Sequence, residues 1–405
     1  MKRRIRVLAV LLSAAMFAGA CQAEPQKTEE EKKIEKEQNI VKEEKEYQAK
    51  LNLIQPSAYS NADGLKLEKG SYISIIGKAK GNDYWDEVEK GALQAAADIN
   101  EQLGYEGKDK IKVTYSAPDT ADDVDEQVNI LDEELARYPI AVGIAIADAK
   151  ACEVQFDLAT DSEIPVVAFD SGSDYQGVMA TVSTDNEAAA KEAAVKLAEE
   201  IGDEGEIILF VQDSKSKAAL LREKGITEEI QTNHPNISIV NVYHMDQLEE
   251  MQKIVADEIN AGTYQIDKEE TGEDAADGAE REKVTPESIT EEQVIDYILA
   301  KHPNIKGCLA TNEGSLLLAL DGLERNAMNT VKVVGFDASE KEVQALSDGK
   351  VTGLIAQNPF GMGYATVVAA ARAALNMGNE AVVNTGYTWV TQEGLEEEAI
   401  QKILY

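Results

Sequence analysis

Short apolar runs alternate with longer amphipathic ones from about residue 71 to residue 376. Runs at 72–76, 112–115, 140–146, 166–169 and 180–182, rich in Val and Ile, predict strands, and helical periodicity marks 85–103, 121–137 and 149–160. Further along, strands are predicted at 207–211, 237–243, 307–310, 331–336 and 353–356. The helices around them fall at 187–201, 217–233, 246–260, 291–301, 314–326, 339–348 and 360–376. Pro139, Pro165, Pro235 and Pro303 each lie between a helical pattern and the next apolar run, where proline ends a helix and starts a strand. Strands apolar on both faces and separated by amphipathic helices predict parallel sheets covered on both sides.

The stretch 164–186 breaks this alternation. Its two strands follow one another with no helix between, and the second ends in Ser183-Thr184-Asp185-Asn186, leading into an alanine-rich helix. Such a break predicts that the chain leaves one sheet to begin another. The expected fold class is therefore α/β, with two doubly wound parallel-sheet lobes, a hinge near 184–186 and a ligand cleft beside Asp170, at the C-terminal end of its strand.

A chain of 405 residues suits two domains plus extensions. Residues 1–21 carry a basic start, an apolar run and small residues before Cys21, the pattern of a secretory signal too short to span a membrane comfortably. Cys21 stands where a bacterial lipobox places its acylated cysteine, although Ala18 replaces the usual leucine. A lipid anchor at Cys21 is expected, with ordinary signal cleavage as the alternative. Residues 22–70, rich in Glu and Lys, are expected to form a charged flexible tether. The acidic, aperiodic segment 262–290 is expected to be a surface insertion on the second lobe, away from the cleft. Its aspartates lack the spacing of a calcium loop, so no metal is expected. Cys152 and Cys308 are expected to be buried and unpaired.

The net charge is −36, and it grows more negative once Lys2, Arg3, Arg4 and Arg6 are removed with the leader. A protein this acidic repels phosphate backbones and anionic headgroups, so nucleic acid is not an expected partner. There is no Gly-x-Ser-x-Gly elbow, no phosphate loop and no zinc pair among His234, His244 and His302. Gly361-Met362-Gly363 lacks the third glycine of a dinucleotide turn. No cofactor is expected, and an enzyme is the least favoured reading.

Candidate chemistry gathers at the predicted strand ends. Asn82, Tyr84 and Trp85 follow the first strand, Asp170 ends the fourth, and Arg222 lies in the helix after Val211. Asn312 and Glu313, Asp337 and Gln357 end or follow later strands. Carboxylates and amides bond paired hydroxyls, arginine does so bidentately, and an indole covers the C–H face of a sugar ring. Taken singly, an Asp or Asn after a strand commonly caps the next helix, and Trp85 can simply pack a helix on its sheet. Recurrence at successive strand ends is what points to a polyhydroxylated ligand.

From Tyr72 to Tyr405 the chain resembles the type I periplasmic binding proteins of the ribose and galactose type, whose fold is shared with the effector domains of LacI-like repressors. The resemblance rests on Asn82-Asp83-Tyr84-Trp85, the run from Ile164 to Asp170, Thr184-Asp185-Asn186, Arg222-Glu223-Lys224-Gly225, Ala310-Thr311-Asn312-Glu313, Val333-Val334-Gly335-Phe336-Asp337 and Ile355-Ala356-Gln357. It implies sugar-binding roles for Tyr84, Trp85, Asp170, Arg222, Asn312, Asp337 and Gln357, with Asn82 a weaker candidate. Where the family's ribose receptors carry an arginine after the strand-end aspartate, this chain has Ser171, which points away from ribose and makes Ser171 a candidate ligand contact. Lys78 stands where relatives often place a lysine near the cleft; there it would favour a sugar acid, the other reading being a solvated loop lysine.

The resemblance further implies three crossings between lobes, near 184–186, 357–358 and 384–387. That sets a first lobe at 71–184 with 359–385 and a second at 185–358 with 386–405. The implied function is a monomeric, extracytoplasmic lipoprotein, held on the outer face of the membrane, that closes over a sugar, polyol or sugar acid and presents it to an ABC permease. The alternative keeps the fold and changes the partner to a histidine kinase or chemoreceptor. A transcriptional regulator would need a helix-turn-helix before the core, where this chain is expected to have a signal and an acidic tether.

Overall fold

A computed structural model describes residues 45–121, 123–148, 150–266 and 283–405. The leader, Cys21, the tether before residue 45 and residues 267–282 of the insertion lie outside the described residues. The strands are β1 (Tyr72–Ile76), β2 (Lys112–Ser116), β3 (Ala141–Ile144), β4 (Val166–Phe169), β5 (Val178–Ser183) and β6 (Gly205–Val211). They continue as β7 (Ile237–His244), β8 (Ile305–Ala310), β9 (Lys332–Phe336), β10 (Gly353–Gln357), β11 (Val382–Asn384) and β12 (Tyr387–Val390). Two six-stranded sheets result, ordered β11-β5-β4-β3-β1-β2 and β12-β10-β9-β8-β6-β7. Every pairing is parallel except β10 with β12. Apart from the edge strands β11 and β12, the second sheet repeats the order of the first, the doubly wound pattern that places ligands at C-terminal strand ends.

The helices are α1 (Gln48–Asn52), α2 (Asp83–Leu103), α3 (Val124–Leu135), α4 (Glu153–Asp161), α5 (Asn186–Ile201) and α6 (Lys217–Asn233). After these come α7 (Leu248–Ala261), α8 (Glu291–Lys301), α9 (Glu313–Arg325), α10 (Glu340–Ser347), α11 (Pro359–Ala374) and α12 (Glu398–Gln401). Both faces of each sheet are covered, giving four separate apolar clusters. Helices α2 and α11 approach each other closely, and the approach depends on glycine. A Cβ at Gly363 would lie 1.9 Å from the carbonyl oxygen of Val88, and one at Gly91 would lie 1.9 Å from that of Phe360. Gly363 is thus a packing residue inside a helix. This contact fixes the start of α2, which carries Asn82, Tyr84 and Trp85 toward the cleft. Cys152 and Cys308 are buried free thiols.

The tether expected at 22–70 ends earlier than its composition suggests. Leu51, Ile54, Tyr59, Leu65 and Leu67 are all buried in the core of the first lobe. These apolar residues are spread too irregularly to show a period, so the polar residues around them dominate the sequence signal. The segment is also tied to the places where the chain changes sheets. Gln55 and Asn384 exchange backbone hydrogen bonds of 2.7 and 2.9 Å, and the Asn358 side-chain amide donates to the carbonyls of Lys50 (2.7 Å) and Thr385 (2.9 Å). Only Thr385 and Gly386 separate β11 from β12. Gly386 has φ +78°, and a Cβ there would press on Leu53 at 3.0 Å.

The described ends of the 262–290 insertion also pack, against the second lobe. Ile289 is buried, and the Tyr264 and Tyr297 rings meet edge-on with centroids 4.9 Å apart.

Candidate functional site

The two lobes meet at the C-terminal edges of their sheets. Ser171 Oγ accepts from the backbone amide of Ala218 at 3.2 Å, Asp83 accepts from the amide of Glu340 at 3.2 Å, and Lys217 pairs with Asp174. Between them lies a cavity of about 330 Å³. The first lobe lines it with Asn82, Tyr84, Trp85 and Asp170, and the second with Gln212, Arg222, Asn312, Glu313, Asp337 and Gln357.

Asp170 and Asp337 occupy equivalent places, one residue beyond β4 and β9. Both have left-handed backbone, φ 56° and 79°, a conformation L-residues rarely adopt and one that concentrates at functional sites. Each aspartate's amide donates to a neighbouring strand, Asp170 to Val182 O and Asp337 to Ile355 O, both at 2.9 Å.

Their electrostatics differ. Burial pushes the Asp170 carboxyl up, but Lys78, Arg222 and the hydrogen bonds from Lys78 and Tyr84 outweigh it and hold the group below the ordinary carboxylate range. Lys78 Nζ lies 2.9 Å from Asp170 Oδ2, and the Tyr84 hydroxyl donates to Oδ1 at 2.8 Å. Burial raises Asp337 above its usual value, Arg222 and the Gln357 and Glu313 bonds resist, and Asp170 adds to the rise. Gln357 Nε2 donates to Asp337 Oδ1 at 2.5 Å while its Oε1 accepts from Thr184 Oγ1 at 2.8 Å, which links the site to two of the points where the chain changes lobes.

Arg222 is buried and held on three sides. Its Nε donates to Asn186 Oδ1 (2.7 Å), its Nη1 donates to Thr311 O (2.5 Å), and its guanidinium lies 4.6 Å from the Phe336 ring centre. Trp85 and Tyr84 meet edge-on at 5.0 Å, and Phe169 meets Trp85 in the same manner at 6.4 Å. Asn82 and Asn312 cap α2 and α9 by accepting from Trp85 N (2.9 Å) and Ser315 N (3.1 Å). The helix-cap reading and the cavity position therefore hold together for both residues.

Two expected site residues stand elsewhere. Lys78, only 2% exposed, is neither solvated nor in the cavity lining, because its ammonium is committed to the back of Asp170. Ser171 is buried in the contact with Ala218 and does not line the cavity.

The structure adds residues that sequence reasoning left out. Gln212 directly follows β6, so the strand-end rule applied without exception would have included it; Glu313, noted at a strand end but given no ligand role, also lines the cavity beside Asn312. Tyr405 gave no signal. Its hydroxyl accepts from Ala338 N at 3.1 Å and lies 3.5 Å from Asp337 Oδ1, and its ring meets Tyr84 at 5.9 Å. Behind Asp337, Glu342 is fully buried. Its Oε2 accepts from Ser339 N at 2.9 Å, and burial and then Asp337 push it well above the usual range.

Among the described residues no group of three or more His, Cys, Asp or Glu is arranged to hold a metal. The arrangement offers fixed donors and acceptors from both lobes and an indole from the first, suited to binding a small polar molecule.

Residues 73–268 and 274–380 match the sequence model of the periplasmic binding protein domain. The ribose import binding protein of Haemophilus influenzae is 23% identical over 291 residues, covering 71% of this chain and 80% of that protein. Its Escherichia coli counterpart is 21% identical over 291 residues, covering 72% and 80%. A carbohydrate transporter solute-binding protein of Agrobacterium radiobacter, solved with D-arabinose, superimposes with TM-score 0.64 at 24% identity over 83% of this chain and 99% of its own. An ABC transporter solute-binding protein of Agrobacterium vitis, bound to α-D-tagatopyranose, gives TM-score 0.66 at 23% identity over 83% and 99%. With two lobes of one topology closed on a polar cavity, and that sequence model matched over most of its length, the chain belongs to the periplasmic binding protein family.

Proposed function

We propose that this protein captures a sugar or sugar-like polyol outside the cytoplasmic membrane, closes its lobes over it, and hands it to the permease of an ABC importer. The observation that carries this reading is the convergence of Trp85, Asp170, Arg222, Asn312, Asp337 and Gln357, from both lobes, on one cavity of about 330 Å³. In this reading they and Asn82 and Tyr84 touch the ligand, and their hydrogen bonds to charged groups contribute about 1.5–3 kcal/mol each. With Lys78 spent on Asp170, the cavity lining holds Asp170, Glu313 and Asp337 against one cation, Arg222. That balance favours a neutral polyol over a sugar acid. The named relatives, which import ribose or were solved with arabinose and tagatose, support the ligand class. The protein binds without turnover, as a monomer anchored by a lipid on Cys21.

Calorimetry against aldoses, polyols and sugar acids tests this. One neutral sugar is expected to bind at one site per chain and be recovered unchanged. Failure of every sugar to bind, or its consumption, defeats the reading. Incorporation of labelled palmitate, lost in Cys21→Ala, tests the anchor.

A further inference from the structure

The cavity continues past the strand-end residues. A second cavity of about 350 Å³ adjoins it, and Ala121, Gln212 and Asn312 line both. It too lies between the lobes, with Val124 and Ala147 on one side and Met245 and Leu248 on the other. Each is about as large as the smaller end of known small-molecule sites, roughly 300 Å³.

The chemistry of the walls changes across the shared residues. In the outer cavity Asp246 is already satisfied by the amide (3.0 Å) and hydroxyl (2.9 Å) of Ser214. Asp213 accepts from the amides of Lys215 (2.9 Å) and Ser216 (2.5 Å) and from the Ser216 hydroxyl (2.8 Å). Glu291 accepts from the Tyr243 hydroxyl (3.2 Å), and the exposed Lys215 ammonium lies 3.7 Å from Asp246. Beside these satisfied charges the wall offers an apolar strip of Val124, Met245 and Leu248. Met245 stands at the partition, since its Cε lies 3.5 Å from the Cβ position of Gly314, which lines the inner cavity. A thioether there adapts its shape to what lies against it.

We propose that the bound molecule is a glycoside: a sugar ring held by the strand-end groups of the inner cavity, whose anomeric oxygen carries a second unit lying against Val124, Met245 and Leu248. This rests on the sugar reading above and adds the class of ligand. A free monosaccharide leaves the outer apolar walls facing water, whereas a glycoside covers them and gains the corresponding burial.

The test is calorimetry of the full-length protein with D-galactose, D-glucose and D-arabinose and with the p-nitrophenyl glycosides of each and the disaccharides lactose and cellobiose. At least one glycoside is expected to bind ten-fold or more tightly than its parent sugar. Leu248→Trp and, from the other lobe, Val124→Trp fill the outer cavity and should abolish that advantage while changing the affinity for the parent sugar less than three-fold. Parent sugars that bind as tightly as all their glycosides overturn the proposal and leave the sugar reading standing. So do tryptophan variants that weaken sugar and glycoside alike. Absence of binding by every compound overturns both.

Discussion

The Lys78–Asp170 pair gives the sharpest prediction, because a single substitution there perturbs folding and binding by separable amounts. The two charges lie 2.9 Å apart with side chains 2% and 8% exposed. At an effective dielectric of about 20, their attraction is about 6 kcal/mol, and desolvation offsets most of it. Removing one partner forfeits the attraction but keeps the other's desolvation, which costs about 3–5 kcal/mol. Asp170→Asn strands the Lys78 ammonium behind the cavity, so the ligand-free protein should melt lower by on the order of 10 °C. Affinity for the sugar should also fall ten-fold or more, from the loss of about 1.5–3 kcal/mol of charge-assisted bonding. Combining Asp170→Asn with Lys78→Met should recover most of the melting temperature and none of the affinity. Thermal denaturation without ligand and calorimetry with it separate the two effects. If Asp170→Asn melts within a degree of the parent protein, Lys78 has found another partner or solvent, and the account of this site is wrong.

Other expectations are simpler. Gly363→Ala drives a methyl into the Val88 carbonyl; overpacking costs about 1–3 kcal/mol, seen as a lower urea midpoint, and the displaced α2 should also weaken the sugar by shifting Trp85. Trp85→Ala should cost roughly ten-fold in affinity, with little change in the dependence on sugar hydroxyl configuration, since the indole supplies a face and not a hydrogen-bond pattern. Burial and Asp337 raise the Glu342 carboxyl well above 4.5 in the folded protein. Its contribution to stability is therefore complete below about pH 4.5 and lost as pH rises through the raised value. Glu342→Gln should accordingly raise the melting temperature more at pH 8 than at pH 5, and an equal shift at both would rule out that assignment.

Much of this arrangement was legible in the sequence because it follows from local rules. A β-rich apolar run ending in a polar residue marks a strand edge; of the eight expected ligand residues that line the cavity, seven lie at or shortly after such an edge, and Arg222 comes from within α6. Lys78 and Ser171 obey the same rule yet do not line it. Their partners, Asp170 and Ala218, lie 92 and 47 positions away, the first within the same lobe and the second across the cleft, and which partner a side chain takes is decided by tertiary packing. The polar look of residues 46–70 concealed Leu51, Ile54 and Tyr59, whose burial depends on a helix some 300 residues later. Tyr405 follows no period at all; its place beside Asp337 exists only once the fold is assembled.

The seating of residues 50–55 against Asn358, Asn384 and Gly386 bears on how the chain is held in place. The folded body is entered at its pivot and not at the tip of either arm. A substitution that loosens Gln55 or Asn358 there bears on both halves together, because the same contacts hold the strands that pass between them.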